Sequence, residues 1–395
     1  MSYNDDYYNE DYENEPVSRK GKKKGLSSNA KWGIALIIEL IVIVLLILGL
    51  VKSYIHNKYL LLDYHDLNEK DLSINDGVDT ESMKGYTNIA LFGVDARDSS
   101  LGSGNRSDAI MIASINNETG DIRIVSVYRD TLLEIPDPEG SFTSKINAAY
   151  AYGGPEMAIK ALNSNLDLNI SAYVTVNWEG LTRAIDALGG VQVHVEENEL
   201  DMLNACLMEQ IRVTGIYSEG VFETGDLMLN GAQATAYSRI RSTDQGDITR
   251  TERQREVISA MLSKVKSSDL ATIDKIIDEI FPYISTSISE DQMYDLAKHV
   301  LSYKLGETVG FPFQFQYYGS DTKGSCIAPE DLTGNVSALQ RYLFGTQDYT
   351  PTQNVQRISN EISNETGYFS NGKVLIPGET DDQSQTTESN GETGE

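Results

Sequence analysis

The strongest hydrophobic pattern in the chain is an uninterrupted apolar run over residues 32–51, WGIALIIELIVIVLLILGLV. Its 20 residues contain one charge, Glu39, and would form a helix about 30 Å long, enough to cross a bilayer. The run is longer than the apolar core of a secretory signal, and it ends at Lys52 without a small-residue cleavage site. The pattern therefore predicts an uncleaved transmembrane helix over residues 32–52.

Basic residues precede this apolar run within a short segment and set its expected orientation. They are Arg19, Lys20, Lys22, Lys23, Lys24 and Lys31. Because basic loops stay on the cytoplasmic side of a membrane, residues 1–31 are predicted to form a disordered cytoplasmic tail. The rest of the chain would be extracellular, beginning with a stalk over residues 53–85, in a single-pass protein of the cell membrane.

A different pattern begins near residue 87, where short runs rich in Ile, Val and Leu alternate with helical patterns. Strands are predicted over residues 87–95, 109–115, 121–127, 172–176, 191–195 and 308–315. Helices are predicted over residues 155–166, 178–188, 247–266 and 289–304. The alternation predicts one α/β domain of three α/β/α layers over residues 86–355. The acidic segment 356–395 is predicted to be a largely disordered tail.

Charge and cysteine content exclude several classes of ligand. The chain has 32 Lys and Arg against 59 Asp and Glu, a net charge of −27. Such acidity argues against nucleic acid as a partner, because sequence-independent binding of DNA or RNA needs a broad basic surface. The two cysteines are too few for a cysteine-based zinc site, and the four histidines are scattered singly.

Arginine is distributed unevenly along the chain. Residues 86–260 contain 11 of the 14 arginines but only two lysines, Lys145 and Lys160. Arginine is favoured where planar, bidentate contact with phosphate or carboxylate matters, so this stretch predicts an enclosed phosphate-binding site. The alternative is that these arginines pair with the abundant acidic residues.

The first candidate site residues follow the first predicted strand. Asp95 and Arg97 stand at its carboxyl end, where ligands gather in α/β sheets. Arg106 and Asp108 precede the next strand, after a loop rich in Gly and Ser. Asp95 and Asp108 thus flank one loop, and such a carboxylate pair can hold Mg²⁺ together with substrate phosphate oxygens.

Two further segments supply candidate substrate-binding residues. Arg129 and Asp130 follow the strand 121–127, again at a carboxyl end. Segment 144–156, which includes Lys145 and Asn147, leads into a helix N-terminus, a favourable place for an anion.

The remaining candidates lie between residues 239 and 254. Arg239 and Arg241 are two residues apart, which would put both guanidinium groups on one face of an extended segment. The next helix carries the last set: Asp247, Arg250, Arg253 and Gln254. Asp247, Arg250 and Gln254 share one helical face, where the carboxylate could orient an arginine.

In this order, the segments resemble the LytR–CpsA–Psr (LCP) family of Gram-positive bacteria. The matching stretches are FGVDAR, GNRSDAIMI, SVYRDT, SKINAAYAYGG, AIDALGGVQVHV, LNGAQATAYSRIR and GDITRTERQREVI. They span residues 86–265, and a looser likeness continues to residue 315. The resemblance implies an LCP-type domain with a central mixed sheet, preceded by one transmembrane helix.

The resemblance also implies an activity and a set of roles. The expected activity is that of a phosphotransferase moving a glycopolymer from an undecaprenyl-diphosphate carrier to peptidoglycan, usually at the C6 hydroxyl of N-acetylmuramic acid. Asp95 and Asp108 match ligands of Mg²⁺ (or Mn²⁺), and Asp247 matches an acid that orients the arginines. The diphosphate-binding arginines are matched by Arg106, Arg129, Arg239 and Arg241, and further site residues by Arg250 and Gln254. The carrier's lipid tail would need an apolar cavity, which the runs 109–115 and 257–262 are expected to line.

Two departures from the family pattern bear on specificity. Tyr128 stands where the family commonly has Pro, and Ala109 stands where it commonly has Thr. Neither change removes a charged group. No motif is assigned to residues 316–373, and no histidine is placed to act as a general base, so an aspartate is the candidate for that role.

Several alternatives stay open at this level. If water replaced the acceptor hydroxyl as the nucleophile, the chain would be a polyprenyl-diphosphate hydrolase instead of a transferase. The third possibility is a non-enzymatic role as a signalling or attenuator protein. The transferred polymer could be wall teichoic acid, capsule or another polysaccharide. A disulfide between Cys206 and Cys326 is open as well, because sequence does not give their separation.

Overall fold

The structure, a computed structural model, describes residues 46, 49–78, 81–96, 101–241, 247–300, 302–369 and 373–379. The chain divides into two units, Met1–Ser53 and Tyr54–Glu395. In the first unit only 46 and 49–53 are described, and they are helical. Within the described residues no helix is both long and apolar enough to cross a membrane. The predicted cytoplasmic tail, nearly all of the predicted span, and the end of the predicted C-terminal tail lie outside the described residues.

The second unit contains strands and helices in alternation. In chain order its strands are β1 (Asp63–Tyr64), β2 (Tyr86–Val94), β3 (Ser107–Asn116), β4 (Asp121–Val127), β5 (Leu132–Ile135), β6 (Phe142–Lys145), β7 (Ala172–Asn177), β8 (Val191–Val195), β9 (Gly225–Leu229), β10 (Ile284–Thr286), β11 (Lys304–Phe311), β12 (Phe315–Ser320) and β13 (Gly324–Pro329). Its α-helices are α1 (54–59), α2 (Asn147–Leu166), α3 (Trp178–Ala187), α4 (Leu200–Thr214), α5 (Gly231–Tyr237), α6 (Asp247–Ser267), α7 (Leu270–Ile280), α8 (Glu290–Lys298), α9 (Leu332–Phe344) and α10 (Gln353–Thr366).

Seven strands form a central sheet in the order β1, β10, β7, β2, β3, β4, β11 among the described residues. The pairs β2–β7 and β4–β11 are parallel, whereas β2–β3, β3–β4 and β7–β10 are antiparallel. The expected mixed α/β sheet is therefore present. Because β2 and β3 run in opposite directions, the end of β2 lies beside the start of β3, with Val94 paired to Ser107. This register brings the two predicted carboxylate positions to one edge.

Both faces of the sheet are covered, since alternate residues of a strand point to opposite sides. On one face, Phe92 and Ile112 pack in a core with α2, α9 and α10. On the other face, Met111 and Ile124 pack against Ile258 of α6. Helices on both sides of one sheet form the layered arrangement that the alternating pattern predicted.

Several element boundaries differ from the sequence prediction. The helix predicted from residue 155 begins earlier, at Asn147, and is interrupted by non-helical dihedral angles at Gly153 and Gly154. The helix predicted over 289–304 is capped by Ser289 as expected but ends at Lys298. The strand predicted over 308–315 is two strands, because β11 ends at Phe311 and Pro312 has no N–H for the ladder.

The compact unit is longer than the predicted 86–355 at both ends. In the predicted stalk, Leu67 and Leu72 lie in the main core and β1 pairs with β10. In the predicted tail, residues 356–366 belong to α10, which buries Ile358 and Ile362 in the same core. The apolar residues of α10 recur at helical spacing among polar ones, so the acidic composition of the longer segment 356–395 masked an amphipathic helix at its start. The unassigned region 316–373 thus supplies β12, β13, α9 and α10, which cover one face of the sheet.

Candidate active site

A polar cavity of about 320 Å³ lies at the carboxyl ends of β2 and β7. Asp95 follows β2, Trp178 follows β7, and Asp108 is the second residue of β3. The turn after α5 and the helices α4 and α6 complete the wall. The lining residues are Asp95, Asp108, Trp178, Met202, Cys206, Glu209, Arg239, Arg241, Arg250 and Gln254. Six of the 14 residues proposed from the sequence therefore line one cavity.

Asp108 is the centre of a charge network behind this cavity. Its carboxylate accepts a hydrogen bond from Arg129, and its Oδ2 lies 3.6 Å from Nη2 of Arg241. Arg129 Nε is 3.3 Å from Oδ1 of Asp247 and 3.8 Å from Oδ1 of Asp130. Burial lowers the pKa of Arg129, but these three carboxylates outweigh it and raise the pKa above its usual range. Arg129 is thus held permanently charged between acids of three different elements.

Arg250 is the most deeply buried charge of the cavity wall. Its side chain is 2% exposed and pairs with Asp247, three residues earlier on α6. Burial lowers the pKa of Arg250 to about 10, whereas burial raises the pKa of Asp247. Within the described residues, Nε and Nη1 of Arg250 are buried without a hydrogen-bond partner. Since such donors are costly to leave unpaired, the cavity has unused capacity for an anion.

Arg239 is held by α4 and by an aromatic ring. Its Nη1 donates to Oε1 of Gln210 at 2.9 Å, and its Nη2 is 3.4 Å from Oε2 of Glu209. The guanidinium lies 5.5 Å from the ring centroid of Trp178. Arg239 and Arg241 both reach the cavity, but not from the extended segment that their spacing suggested. The chain turns after α5, with the N–H of Arg239 donating to the carbonyl of Ala236 at 3.0 Å.

The other proposed substrate-binding residues lie away from the cavity wall or outside the described residues. Arg253 is buried and its Nε donates to Oε1 of Glu199 at 2.6 Å. Lys145 Nζ lies 3.3 Å from Oδ1 of Asp130, and the backbone N–H of Asn147 donates to the carbonyl of Arg129 at 3.1 Å. The contacts of Lys145 and Asn147 hold Arg129 and its loop in position. Arg106 is exposed, and Arg97 is outside the described residues.

Asp95 differs from Asp108 because its carboxylate is not saturated by arginines. Its Oδ1 is buried and has no hydrogen-bond partner among the described residues. A buried carboxylate oxygen facing a cavity is the donor type that Mg²⁺ prefers. The described residues contain no group of three or more His, Cys, Asp or Glu that could hold a metal. Asp95 and Asp108 instead fit a site in which two carboxylates hold the ion and the oxygens of a bound phosphate ligand complete its coordination.

An apolar cavity of about 470 Å³ lies directly beside the polar one, between the sheet and helices α3, α6 and α7. The two cavities share Trp178 and Gln254 in their walls. Ala109 and Met111 line the sheet side. On the helix side the predicted run 257–262 contributes Val257, Ile258, Met261 and Leu262. The expectation that runs 109–115 and 257–262 line an apolar cavity is therefore met.

The sequence reasoning missed Trp178 and the whole contribution of α4, namely Met202, Cys206 and Glu209. No element was predicted over 200–214, although Leu200, Leu203, Leu207 and Ile211 recur at helical spacing and Gly215 ends the helix with positive φ. Trp178 follows a strand end, as the proposed Asp95 does. The helical spacing of apolar residues over 200–214 and the position of Trp178 after a strand could therefore both have been recognised in the sequence.

Two open questions about individual residues are answered by the fold. Cys206 and Cys326 are both free thiols, so they form no disulfide. Tyr128 is buried, and its ring lies 5.8 Å from that of Phe315. A Cβ at position 310 would overlap the Tyr128 hydroxyl, so Gly310 leaves the space that this ring needs. Ala109, the second departure, lines the apolar cavity.

Two proteins that are similar in sequence to this chain carry the same name. A transferase from Oceanobacillus iheyensis named polyisoprenyl-teichoic acid–peptidoglycan teichoic acid transferase TagU is 35% identical over 221 residues, 54% of this chain and 62% of the relative. The match thus spans slightly less than two thirds of that relative. The protein of the same name from Bacillus mycoides is 34% identical over 229 residues, 57% of this chain and 68% of the relative.

A solved structure shares the fold. The crystal structure of B. subtilis TagV superposes with a TM-score of 0.52 and 27% identity, covering 68% of this chain and 99% of that one. The model of the LytR_cpsA_psr family matches residues 55–323, a range that contains every strand and helix of both cavity walls. On this match, and on relatives above 30% identity, the chain belongs to the LytR_cpsA_psr family.

Proposed function

We propose that the chain is a membrane-anchored phosphotransferase that moves an anionic glycopolymer from a polyprenyl-diphosphate carrier to peptidoglycan. The observation that carries this proposal is the junction of the two cavities at Trp178 and Gln254. An arginine-lined polar cavity next to an apolar one suits a ligand with a diphosphate head and a hydrocarbon tail. The names of the two TagU relatives support teichoic acid as the polymer class.

The finer identity of the substrates follows the family resemblance. The carrier would be undecaprenyl diphosphate, and the acceptor the C6 hydroxyl of N-acetylmuramic acid. The apolar run 32–52 would anchor the enzyme, with the N-terminus in the cytoplasm and the catalytic unit outside.

In this reaction the arginines would stabilise the negative charge of the diphosphate. The acceptor hydroxyl attacks the phosphorus that carries the polymer, a new P–O bond forms, and polyprenyl phosphate leaves with the electrons of the broken P–O bond. Charge on the phosphoryl oxygens would be met by Arg239, Arg241 and the unpaired donors of Arg250. Because Gln210 and Asp247 already hold two of these groups, little reorganisation is needed when the ligand arrives.

A divalent cation fits the same site. Asp95 and Asp108 would hold Mg²⁺ (or Mn²⁺), and the free Oδ1 of Asp95 supports this assignment. Such an ion, when bound, supplies further neutralisation of diphosphate charge. The proton of the acceptor hydroxyl would pass to one of the aspartates of the cavity, because no histidine lines it among the described residues.

The test is a transfer assay with the purified full-length protein, a lipid-linked glycopolymer, peptidoglycan fragments and Mg²⁺. Arg239→Ala removes a positive charge that faces the diphosphate, and Asp95→Ala removes a proposed ligand of the cation, so each variant is expected to lower the rate about 100-fold or more. Arg212→Ala is the matched control, since this arginine is 69% exposed on α4. Unchanged transfer in either cavity variant, or release of free polymer in place of transfer, would refute the proposal.

A further inference from the structure

Glu209 of helix α4 is a third carboxylate in the wall of the polar cavity, beside Asp95 and Asp108. Glu209 is exposed, whereas the other two acids are half-buried. Two arginines engage Asp108, and the buried Oδ1 of Asp95 is the proposed ligand of a cation. Glu209 is therefore the carboxylate of this cavity that solvent reaches most easily, and the reaction proposed above gives it no role.

The carboxylate of Glu209 is only loosely engaged by the protein. Its Oε2 lies 3.4 Å from Nη2 of Arg239, and its Oε1 lies 3.9 Å from Nη2 of Arg212. Both distances exceed the length of a charge-assisted hydrogen bond, about 2.7–2.9 Å. The Arg212 side chain is 69% exposed, so its pair with Glu209 contributes little. Within the part of the chain that the structure describes, Glu209 thus keeps lone pairs that can accept hydrogen bonds from a ligand.

Arg239 connects Glu209 to the junction of the two cavities. Its guanidinium lies 5.5 Å from the ring centroid of Trp178, which lines both cavities. The exposed fraction rises along this row, from 5% for Trp178 through 13% for the Arg239 side chain to 46% for the Glu209 side chain. The row therefore leads from the apolar cavity, past an arginine that would face the diphosphate, to the solvent.

The direction of the proposed reaction places the acceptor at the Glu209 end of this row. In phosphoryl transfer, the attacking and the leaving oxygen lie roughly in line, on opposite sides of the phosphorus. The leaving group is polyprenyl phosphate, whose hydrocarbon chain would occupy the apolar cavity beside Trp178. The attacking hydroxyl would then approach from the other side, where α4 presents Glu209 to solvent.

We infer that Glu209 is an acceptor-binding residue, whose carboxylate accepts hydrogen bonds from hydroxyl or amide N–H groups of the acceptor saccharide. This rests on the proposed function, and it names the wall of the cavity at which the second substrate binds. The contact orients the attacking hydroxyl and leaves proton transfer to an aspartate. Because a carboxylate repels phosphate, Glu209 also disfavours binding of the diphosphate at this end of the cavity.

The test measures the two substrates separately, with the full-length protein. Glu209→Gln keeps the shape of the side chain and removes its charge. With saturating lipid-linked glycopolymer, the KM for peptidoglycan fragments is expected to rise about fivefold or more, because hydrogen bonds to a charged acceptor are roughly twice as strong as those to a neutral one. Binding of the lipid-linked glycopolymer alone, measured by calorimetry, should change by less than about twofold, since Arg239 keeps its contacts with Gln210 and Trp178.

Asp201→Asn is the matched control, because Asp201 is an exposed acid in the first turn of the same helix and does not line the cavity. It should alter neither the KM for peptidoglycan fragments nor the binding of the lipid-linked glycopolymer.

An unchanged KM for peptidoglycan fragments in Glu209→Gln overturns the inference. It is also overturned if binding of the lipid-linked glycopolymer weakens as much as the KM rises, because Glu209 would then act only by positioning Arg239. Arg239→Ala, assayed in parallel, tests the proposed function itself, which fails if transfer survives that change. Loss of transfer in Arg239→Ala together with a normal KM in Glu209→Gln refutes this inference alone.

Discussion

Arg250 and Asp247 form an ion pair one turn apart at the start of α6, with 2% of the arginine side chain and 12% of the aspartate side chain exposed. The acid stands in the first turn of the helix, where the helix dipole favours a negative charge. The pair fixes an arginine that still has two unpaired donors. Arg250, the strongest candidate for contact with a bound anion, is therefore held in place by the first turn of α6.

Removing the acid of this pair should destabilise the protein. Asp247→Asn is expected to lower the free energy of unfolding by about 3 kcal/mol, because it leaves a buried guanidinium without its counter-ion. Urea denaturation of the purified protein measures the change. Glu252→Gln is the matched control on the same helix, since Glu252 is 56% exposed and 4.0 Å from Arg255, and should cost about 0.5 kcal/mol or less. Equal losses in the two variants would contradict the assignment.

Filling the apolar cavity should select against long lipid chains. Ile258→Trp is expected to weaken binding of a long-chain polyprenyl diphosphate about tenfold or more, because each methylene group kept out of the cavity forfeits ~0.8 kcal/mol. Binding is measured by calorimetry. A short-chain analogue should bind the variant normally, and Ser263→Trp, at an exposed position of α6, should leave both ligands unaffected. Equal weakening for short and long chains would show that the cavity does not hold the lipid.

The two cysteines should differ in reactivity toward a small alkylating reagent. Cys206 lines the polar cavity, whereas Cys326 is 1% exposed in the core. Mass spectrometry should find one adduct on the native protein, at Cys206, and two after denaturation. Burial raises the pKa of Cys206 above its usual range, so the rate should still be rising above pH 9. Cys206→Ser removes the native adduct, and a native adduct at Cys326 would contradict the structure.

The C-terminal helix should make a pH-dependent contribution to stability. Glu365 of α10 accepts from Lys323 and, at 2.7 Å, from Thr143. Burial raises the pKa of Glu365, but these two hydrogen bonds outweigh it and lower the pKa below the ordinary value of 4.5. Stabilisation by a carboxylate whose pKa is lowered on folding is present above 4.5 and is lost as the pH falls below it.

Glu365→Gln is therefore expected to cost about 1 kcal/mol at neutral pH, and this difference from the parent protein should vanish in acid. Urea unfolding at a series of pH values measures it. Glu361→Gln is the control on the same helix, because its pair with Arg357 is half exposed and should contribute only about 0.3 kcal/mol. A difference that persists in acid would show that the cost does not come from the charge of Glu365.

Local patterns were enough for the strands β2, β3, β4, β7 and β8 and for one face of α6, but not for the buried strand β5. The run 121–127 coincides with β4, because a short apolar stretch between turn residues has few other stable states. Asp247, Arg250 and Gln254 lie together as predicted, since helical geometry alone brings residues three and four apart onto one face.

Long-range contacts decided the cases that local patterns could not. Nothing in the local sequence separates Arg253, which pairs with Glu199 at a distance of 54 residues, from Arg239, which faces the cavity. The helix α10 was not predicted, because it was included in the acidic segment 356–395, and only the contact with α2 and α9 shows that its apolar side is buried.

By itself, the sequence determined the strands β2, β3, β4, β7 and β8, the arginine-rich chemistry and the family, because these depend on residue type and short spacing. Only the tertiary structure decided which arginines meet and where the polar cavity joins the apolar one. Each of these depends on residues that are far apart in the chain and are brought together by the burial of a common core.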